Sequence, residues 1–466
     1  MHHIHSADHV ITMASPPLLL QDAAVVVADQ GDIAWVGDRA EALRRYPQAQ
    51  ETRHRRHLLM PGLVNAHCHS GLLRGTAEGL PVWQWLQTYI DPMHRVLRPE
   101  EAECASWLCY AEALLSGTTT LVDMWRYMDG SARAAQALGL RVVLAPYVAE
   151  HPEHDYFETL DRNEALIDAW HGGADGRIQV WVGLEHLFYA EPWAWKRAVD
   201  MTQRYRTGLH THSNESRFDV TETRKRFGLR PVEALERAGL LDAYRVLLAH
   251  GVWLDDREIE ILAQRRIGVV HNPASNMKLA SGIAPVQRLL AAGVAVGLGT
   301  DGEKENNNLD LFEEMKLASL LAKLRHLDAS ALDAWQVLGM ATRDGARALG
   351  LEDRIGTLEA GKRADMIAVR TDTPRMTPLI GGAAGNLHHN LVHAVRGGDV
   401  SMTMVDGHVL VADGVLQRAE LATLIDHANQ LTPGLLARRD ADVRRRGMPV
   451  NEVAAGPAPP SIWDAD

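Results

Sequence analysis

The chain has 466 residues, enough for two or three domains of ordinary size or one large barrel with an accessory unit. Apolar residues make up 46% and charged residues 23%, a balance that excludes a wholly disordered chain, and no stretch of about 18 apolar residues is present to span a membrane. Lys and Arg number 48 against 60 Asp and Glu, a net charge of −12, which disfavours nucleic acid or an anionic membrane as partner. Histidines number 23 and cysteines 3. Cys68, Cys104 and Cys109 make no even disulfide framework, so a reducing, cytoplasmic compartment is expected. Surplus histidine with scarce cysteine points to imidazole metal chemistry without choosing among the histidines.

In chain order, the start reads as strands. Ile4–Met13, Ala23–Ala28 and Ile33–Gly37 are short apolar runs punctuated by turns such as Gln30-Gly31-Asp32, and Arg39–Tyr46 reads as a helix. From Leu58 the texture changes to apolar runs alternating with amphipathic stretches. The runs are Leu58–His69, Thr118–Trp125, Arg141–Val148, Ile178–His186, Gly208–Glu215, Arg245–Gly251, Gly268–Asn272 and Val294–Asp301. Near-continuous apolar strands with helices between them indicate parallel pairing, and eight such units suit a closed (β/α)8 barrel, with a doubly wound open sheet as the alternative. Helical stretches Leu309–Leu324 and Ala329–Leu349 follow, then strand patterns resume near Met366 and at Met402–Ala412 with an Asp406-Gly407 turn. The predicted fold class is α/β: a barrel over 58–354, a small β-sandwich composed of 1–57 and 355–416, and a helical extension and tail over 417–466. Ala454–Pro460 is expected to be poorly ordered.

The chemistry-bearing residues fall at the carboxyl ends of predicted barrel strands, the face that carries active sites in this architecture. The first strand ends in His67-Cys68-His69, where alternation lets both imidazoles reach one ion. The fifth ends in His210-Thr211-His212 with Glu215 three residues on, the sixth in His250, and the eighth in Asp301-Gly302. Each fragment alone is commonplace. Four in this order, each at a strand end, are not.

In these residues the chain resembles the amidohydrolase superfamily, in the branch that holds 5-methylthioadenosine/S-adenosylhomocysteine deaminases and triazine chloro- and aminohydrolases. The matching motifs are Pro61-Gly62-Leu63-Val64-Asn65-Ala66-His67-Cys68-His69, His212-x-x-Glu215, Leu248-Ala249-His250, His271–Leu279, Gly282–Val286, Gly299-Thr300-Asp301-Gly302 and Gly361-Lys362-x-Ala364-Asp365. The resemblance implies a metal held by His67, His69, His212 and Asp301: one divalent ion, Zn2+, or Fe2+ by the same ligand set. A single ion is expected because the fourth strand, Trp181–His186, has no bridging lysine; Glu185 is expected to point away from the site, since His186 matches the substrate-facing histidine of the branch.

The implied reaction is hydrolytic deamination of an amino-substituted nitrogen heterocycle, by attack of metal-bound hydroxide on the ring carbon with release of ammonia. Asp301 would take the water proton, His250 orient the water, Glu215 protonate the ring nitrogen and His186 contact the ring. Residues expected to bind substrate are His186, His94, Trp85 and Glu303. His94 stands where the thioadenosine deaminases carry a ribose-binding carboxylate, Pro146 stands where a carboxylate-binding arginine follows the third strand, and the acidic stretch Glu150–Asp155 beyond it holds no arginine, which lowers the odds of S-adenosylhomocysteine and, to a lesser degree, of any ribonucleoside. The segment Gly302–Asn308, Gly-Glu-Lys-Glu-Asn-Asn-Asn, is charged where relatives carry small residues, and reads either as a contact to a polar substituent or as a solvated loop tip. Trp83, Trp85 and Trp125 can stack on a flat ring or pack the rim. A triazine chlorohydrolase, a thioadenosine/S-adenosylhomocysteine deaminase in the strict sense, and a non-catalytic scaffold are the alternatives. The expected partner is a small heterocycle, with no nucleic acid and no membrane, and the resemblance implies a homo-oligomer of two or more chains. Cys68, between two ligands, should point away from the metal.

Overall fold

The computed structural model describes residues 2–76, 78–80 and 82–447; the proline-rich tail singled out above lies outside them. The strands segregate into two sheets. The first takes β1 (His2–Ile11), β2 (Leu19–Ala28), β3 (Ile33–Asp38) and β4 (Gln50–Pro61) from the start of the chain. The second is the barrel: β5 (Leu63–Cys68), β6 (Thr118–Asp123), β7 (Arg141–Leu144), β8 (Ile178–Val180), β9 (Val182–Gly183), β10 (Leu209–Ser213), β11 (Val246–His250), β12 (Gly268–His271) and β13 (Val296–Leu298). Four strands then return to the first sheet: β14 (Met366–Arg370), β15 (Val400–Val405), β16 (His408–Ala412) and β17 (Val415–Leu416).

The barrel order is β8-β7-β6-β5-β13-β12-β11-β10-β9, every pair parallel. β8 and β9 are one stave interrupted at Trp181, so eight staves close the barrel, with β8 pairing β7 and β9 pairing β10. The expected strand Ile178–His186 is therefore shorter and broken, and Leu184–His186 lie beyond its end. The expected helix Ala329–Leu349 is also two, Ala334–Met340 and Arg343–Leu349. Ala346 and Leu349 of the second helix pack with Val64, Val122, Leu247 and Val270 in the barrel interior.

Leu58–Pro61 reads from the sequence as the start of the first barrel strand but belongs to the terminal sheet, paired with β1 and β14. The chain passes between sheets at Gly62, where a Cβ would lie 2.1 Å from Thr119 Oγ1; only glycine allows that approach. The terminal strands join in one sheet of order β17-β16-β15-β14-β4-β1-β2-β3. It curls over on itself: Ile33 N donates to Lys362 O at 2.7 Å and Ala364 N to Gly31 O at 2.8 Å, around a core that includes Ala7, Val25, Leu59, Met366 and Met402.

Buried charge ties this sheet to the barrel. Arg141, at the start of β7, donates to both carboxylate oxygens of Asp365 at 2.8 and 3.0 Å and to Asp406 at 3.3 Å. Arg177 and Arg363 also reach Asp406. On the other side the helix Leu421–Arg445 lies across the helices Asp91–Val96 and Pro99–Leu115. Its Arg439 donates to Thr88 O at 2.8 Å and covers the Tyr89 ring at 3.9 Å, bracing the segment that roofs the barrel mouth. No helix among the described residues is long and apolar enough to cross a membrane.

Removing one member of a buried, hydrogen-bonded charge set leaves its partners desolvated and unpaired, at a cost of about 3–5 kcal/mol. Arg141→Met is expected to lower stability by about that amount, read from the denaturant unfolding curve. The exposed pair Arg133–Glu103 provides the control: Arg133→Met should cost about 0.5 kcal/mol or less. Equal effects would mean that the Arg141 cluster does not hold the two sheets together.

Candidate active site

The barrel brings His67, His69, His212, His250 and Asp301 to one point. His67 and His69 end β5, His212 lies on β10, His250 closes β11 and Asp301 follows β13. His250 and Asp301 take left-handed backbone conformations, φ +74° and +59°. Non-glycine residues rarely adopt these, and they cluster at functional sites. The ligand atoms of His67, His69 and His212 all lie within 4.8 Å of one another, as do those of His67, His250 and Asp301.

Hydrogen bonds assign the tautomers. His69 Nδ1 donates to Met124 O at 2.7 Å and His212 Nδ1 to Glu185 O at 2.8 Å, so both Nε2 atoms carry lone pairs. His210 Nδ1 donates to Leu247 O at 3.0 Å, which leaves its Nε2 to accept from His67 Nδ1 at 2.8 Å. His67 Nε2 is therefore also a lone pair, buried and without a hydrogen-bond partner. It faces Asp301 Oδ1 at 3.5 Å, with His69 Nε2 at 3.2 Å from the same oxygen. His69 Nε2 and His212 Nε2 are 3.3 Å apart, close to the ~3.4 Å edge of a tetrahedron with 2.0–2.1 Å metal–nitrogen bonds. Converging lone pairs and a carboxylate repel unless a cation sits among them, so the donor set fits a divalent ion. Burial keeps the imidazoles neutral: it lowers the pKa of His67, and those of His69 and His212 well below the usual value. Asp301 Oδ2 accepts from Ser275 Oγ at 2.7 Å and Oδ1 from Gly302 N at 3.0 Å.

Around this centre is a small cavity of about 20 Å³, lined by His186, Glu215, Glu305, Tyr147, Trp85 and Leu279 among others. Beside it a cleft of about 950 Å³ is lined by Trp83, Phe218, Trp253, Arg217 and Ser281, and Val82 and Leu279 border both. His250 Nδ1 is paired with Asn276 Oδ1 at 3.0 Å. Its Nε2 points between Glu215 Oε2 at 4.0 Å and Asp301 Oδ2 at 3.9 Å. Burial raises the pKa of Glu215. The His186 ring lies nearly parallel to His212, centroids 5.2 Å apart. Burial works against its charged form, yet the Glu185 carboxylate, 2.6 Å from Nδ1, carries its pKa up to about 9.

Three placements differ from the sequence reading, of Glu185, Glu303 and His94, and one choice it left open, the charged segment, is decided. Glu185 does not point away: it lines the cavity and holds His186, because strand alternation stops at Gly183 and does not govern Glu185. Glu303 is buried but turned from the cavity, accepting from Leu73 N at 3.0 Å; Glu305 lines the cavity instead. The charged segment is no solvated tip, since Glu303, Lys304 and Glu305 are all buried. His94 is also buried, but its ring packs on Trp125, Tyr147 and Phe157, one layer behind the cavity wall. Trp85 lines the cavity, Trp83 the outer cleft, and Trp125 packs beneath. His210 carried no role of its own in the sequence; its spacing from His212 was visible, but its bond to His67 needed the barrel. Cys68 sits in the apolar layer between barrel and helices, apart from the barrel-interior cluster that holds Val64 and Ala66.

Comparison with known proteins agrees with this geometry. The profile of the amidohydrolase family matches residues 58–410. The chain belongs to the amidohydrolase family. It is a hydrolase. It is 41% identical over 381 residues to a 5-methylthioadenosine/S-adenosylhomocysteine deaminase of Desulforudis audaxviator, covering 81% of this chain and 86% of that one. Among solved structures, an adenosine deaminase from Xanthomonas campestris with bound zinc superposes with a TM-score of 0.85 at 31% identity, over 93% of this chain and 98% of that one. An atrazine chlorohydrolase from Arthrobacter aurescens complexed with zinc gives 0.83 at 26% identity, over 92% and 100%.

The His210 acceptor dictates which nitrogen of His67 carries the lone pair. His210→Leu removes it and is expected to weaken metal binding by about 10–100-fold, measured by chelator competition. Unchanged affinity would show that the His67 tautomer is set elsewhere.

Proposed function

We propose that this hydrolase is a metal-dependent deaminase of an amino-substituted nitrogen heterocycle of the adenosine type, with one Zn2+ held by His67, His69, His212 and Asp301. The observation that carries the reading is the convergence of three hydrogen-free imidazole nitrogens and a buried carboxylate beside an acid, Glu215, raised by burial. The deaminases and the zinc-bound structures among its relatives support it.

When bound, the ion makes water acidic enough to act as a nucleophile near neutral pH. The protein's own groups do the rest. His250 Nε2, between Glu215 and Asp301, holds the attacking water. Asp301 Oδ2 accepts its proton. Glu215 protonates the ring nitrogen beside the reacting carbon, which makes that carbon more electrophilic. His186, held at Nδ1 by Glu185, directs its unpartnered Nε2 at the ring. A C–O bond forms and the C–N bond to the amino group breaks. The proton taken by Asp301 passes to that nitrogen, Glu215 recovers its proton from the hydroxyl left on the carbon, and ammonia leaves a ring that now carries C=O and N–H.

The cavity holds about one water molecule, so a heterocycle takes its room from the adjoining outer cleft, which Val82 and Leu279 also border. Glu153 and Asp155 are exposed on the loop that stacks His154 on Tyr189, ring centroids 3.8 Å apart. This acidic rim disfavours a substrate that ends in a carboxylate.

Purified protein is expected to contain about one divalent ion per chain, and a value near two would overturn the mononuclear reading. Glu215→Gln should keep the ion and lose about 100-fold or more in turnover; unaltered activity would remove Glu215 from the mechanism. Ammonia release across adenosines, pterins, cytosines and aminotriazines identifies the ring. Silence with all of these, with chloride released from chlorotriazines, would replace deamination by dechlorination.

A further inference from the structure

The charged segment after Asp301 is unexplained by the reaction above. Glu303–Asn306 is a single helical turn, and its three charged residues face three ways. Glu303 caps the Gly71–Leu73 loop. Lys304 is buried at 1% exposure, its ammonium 5.5 Å from the Trp125 ring centroid and 3.0 and 3.2 Å from the two oxygens of Glu305. Glu305 lines the cavity, with a carboxylate oxygen within 4.8 Å of both His69 Nε2 and the Asp301 carboxylate. The pair folds back over Gly302, where a Cβ would lie 2.1 Å from Glu305 Oε2 and 2.8 Å from Lys304 Nζ. The arrangement therefore depends on the glycine that follows the ligand Asp301.

Burying an ion pair is costly, and replacing one with apolar residues is often neutral or stabilising. Stability alone does not explain this pair beside the metal ligands. Glu305 is not needed as a ligand, because three imidazoles and Asp301 already supply the protein's donors and the next position is the one the water needs. Nor is it the proton donor: Glu215 stands beside His250, whereas Glu305 stands beside His69. Burial pushes Glu305 up to about 8, with Lys304 pulling down and Asp301 pushing up. Whether protonated or not, a carboxyl keeps acceptor capacity beyond what Lys304 uses. The rest of the cavity's lining combines the histidines and acids already described and Tyr147 with the apolar Val82, Trp85, Leu86 and Leu279.

We propose that Glu305, braced by Lys304, is a specificity-determining residue that accepts a hydrogen bond from a second N–H on the ring, so that the preferred heterocycle carries an amino or ring N–H group in addition to the amino group that leaves. This rests on the deaminase reading. A substrate without that donor would leave a buried acceptor unmatched, which sites of this kind penalise strongly.

The test uses rings in pairs that differ by one amino group: adenosine with its 2-amino derivative, and aminotriazine with diaminotriazine. Each is assayed for kcat/KM of ammonia release by the metal-loaded wild type, by Glu305→Gln, and by the double variant Lys304→Met with Glu305→Leu, which removes both charges together and keeps the volume. The wild type should favour the diamino member of at least one pair by about tenfold or more, and the double variant should bring that ratio to within about threefold of one. Glu305→Gln, which keeps a carbonyl acceptor, should fall between. Equal ratios in wild type and double variant would overturn the proposal while ammonia release upheld the deaminase reading. Calorimetric binding of the same pairs to Glu215→Gln protein reads the preference without turnover. A diamino preference there with no ammonia from the wild type would uphold Glu305 and sink the deaminase reading, and binding of neither ring would sink both. Two ions per wild-type chain and one in Glu305→Gln would also overturn the proposal, by making Glu305 a ligand.

Discussion

Three imidazole nitrogens with no hydrogen to share meet a carboxylate in the closed mouth of the barrel, and the rest of the architecture serves to hold them there. Left to themselves the groups would repel or rotate to find hydrogen-bond donors. Each is locked from behind: His69 by Met124 O, His212 by Glu185 O, and His67 through His210 to Leu247 O. The last of these is a two-histidine relay, in which a backbone carbonyl on a neighbouring strand dictates which nitrogen of His67 faces the ion. Such outer bonds orient ligands as firmly as the ligand identity itself.

The cost of this pre-organisation is spread through the molecule. His250 and Asp301 sit in strained backbone regions at the ends of their strands, which only a rigid surrounding structure sustains. The curled terminal sheet locks onto the start of β7 through Arg141 and its two buried carboxylates, and the last helix reaches back to brace the roof over the mouth with Arg438 and Arg439. The ends of the chain, which carry no catalytic residue, thus fix both ends of the barrel stave system that does.

Charge around the metal site is unusually dense for a buried region. Asp301, Glu215, Glu185 and Glu305 line the cavity, with Lys304 paired to Glu305 and His186 to Glu185. These carboxyl groups make the cavity rich in hydrogen-bond acceptors and receptive to donor-rich rings, which is the character of amino-substituted heterocycles.

The barrel and the gathering of the candidate ligands at its mouth were legible in the sequence because each rests on local rules. Strand alternation puts His67 with His69 and His210 with His212 on common faces, and the carboxyl ends of parallel barrel strands necessarily gather at one mouth. Where the backbone leaves the strand, those rules lapse. Glu185 follows a stave that ends at Gly183, and faces the site rather than away from it. Glu303 and Glu305 sit on one helical turn, where each residue rotates about 100° from the last, so neighbours two apart point in different directions and only packing against Gly71 and Gly302 decides which meets the cavity. His94 matches a substrate-binding position in sequence but is walled off by Tyr147. The sequence by itself carried the family resemblance and, through it, the candidate metal donors and acid, because strand periodicity and residue chemistry are local. Which side chains beyond the strand ends touch the substrate was decided only by tertiary structure, because that depends on contacts between segments far apart in the chain.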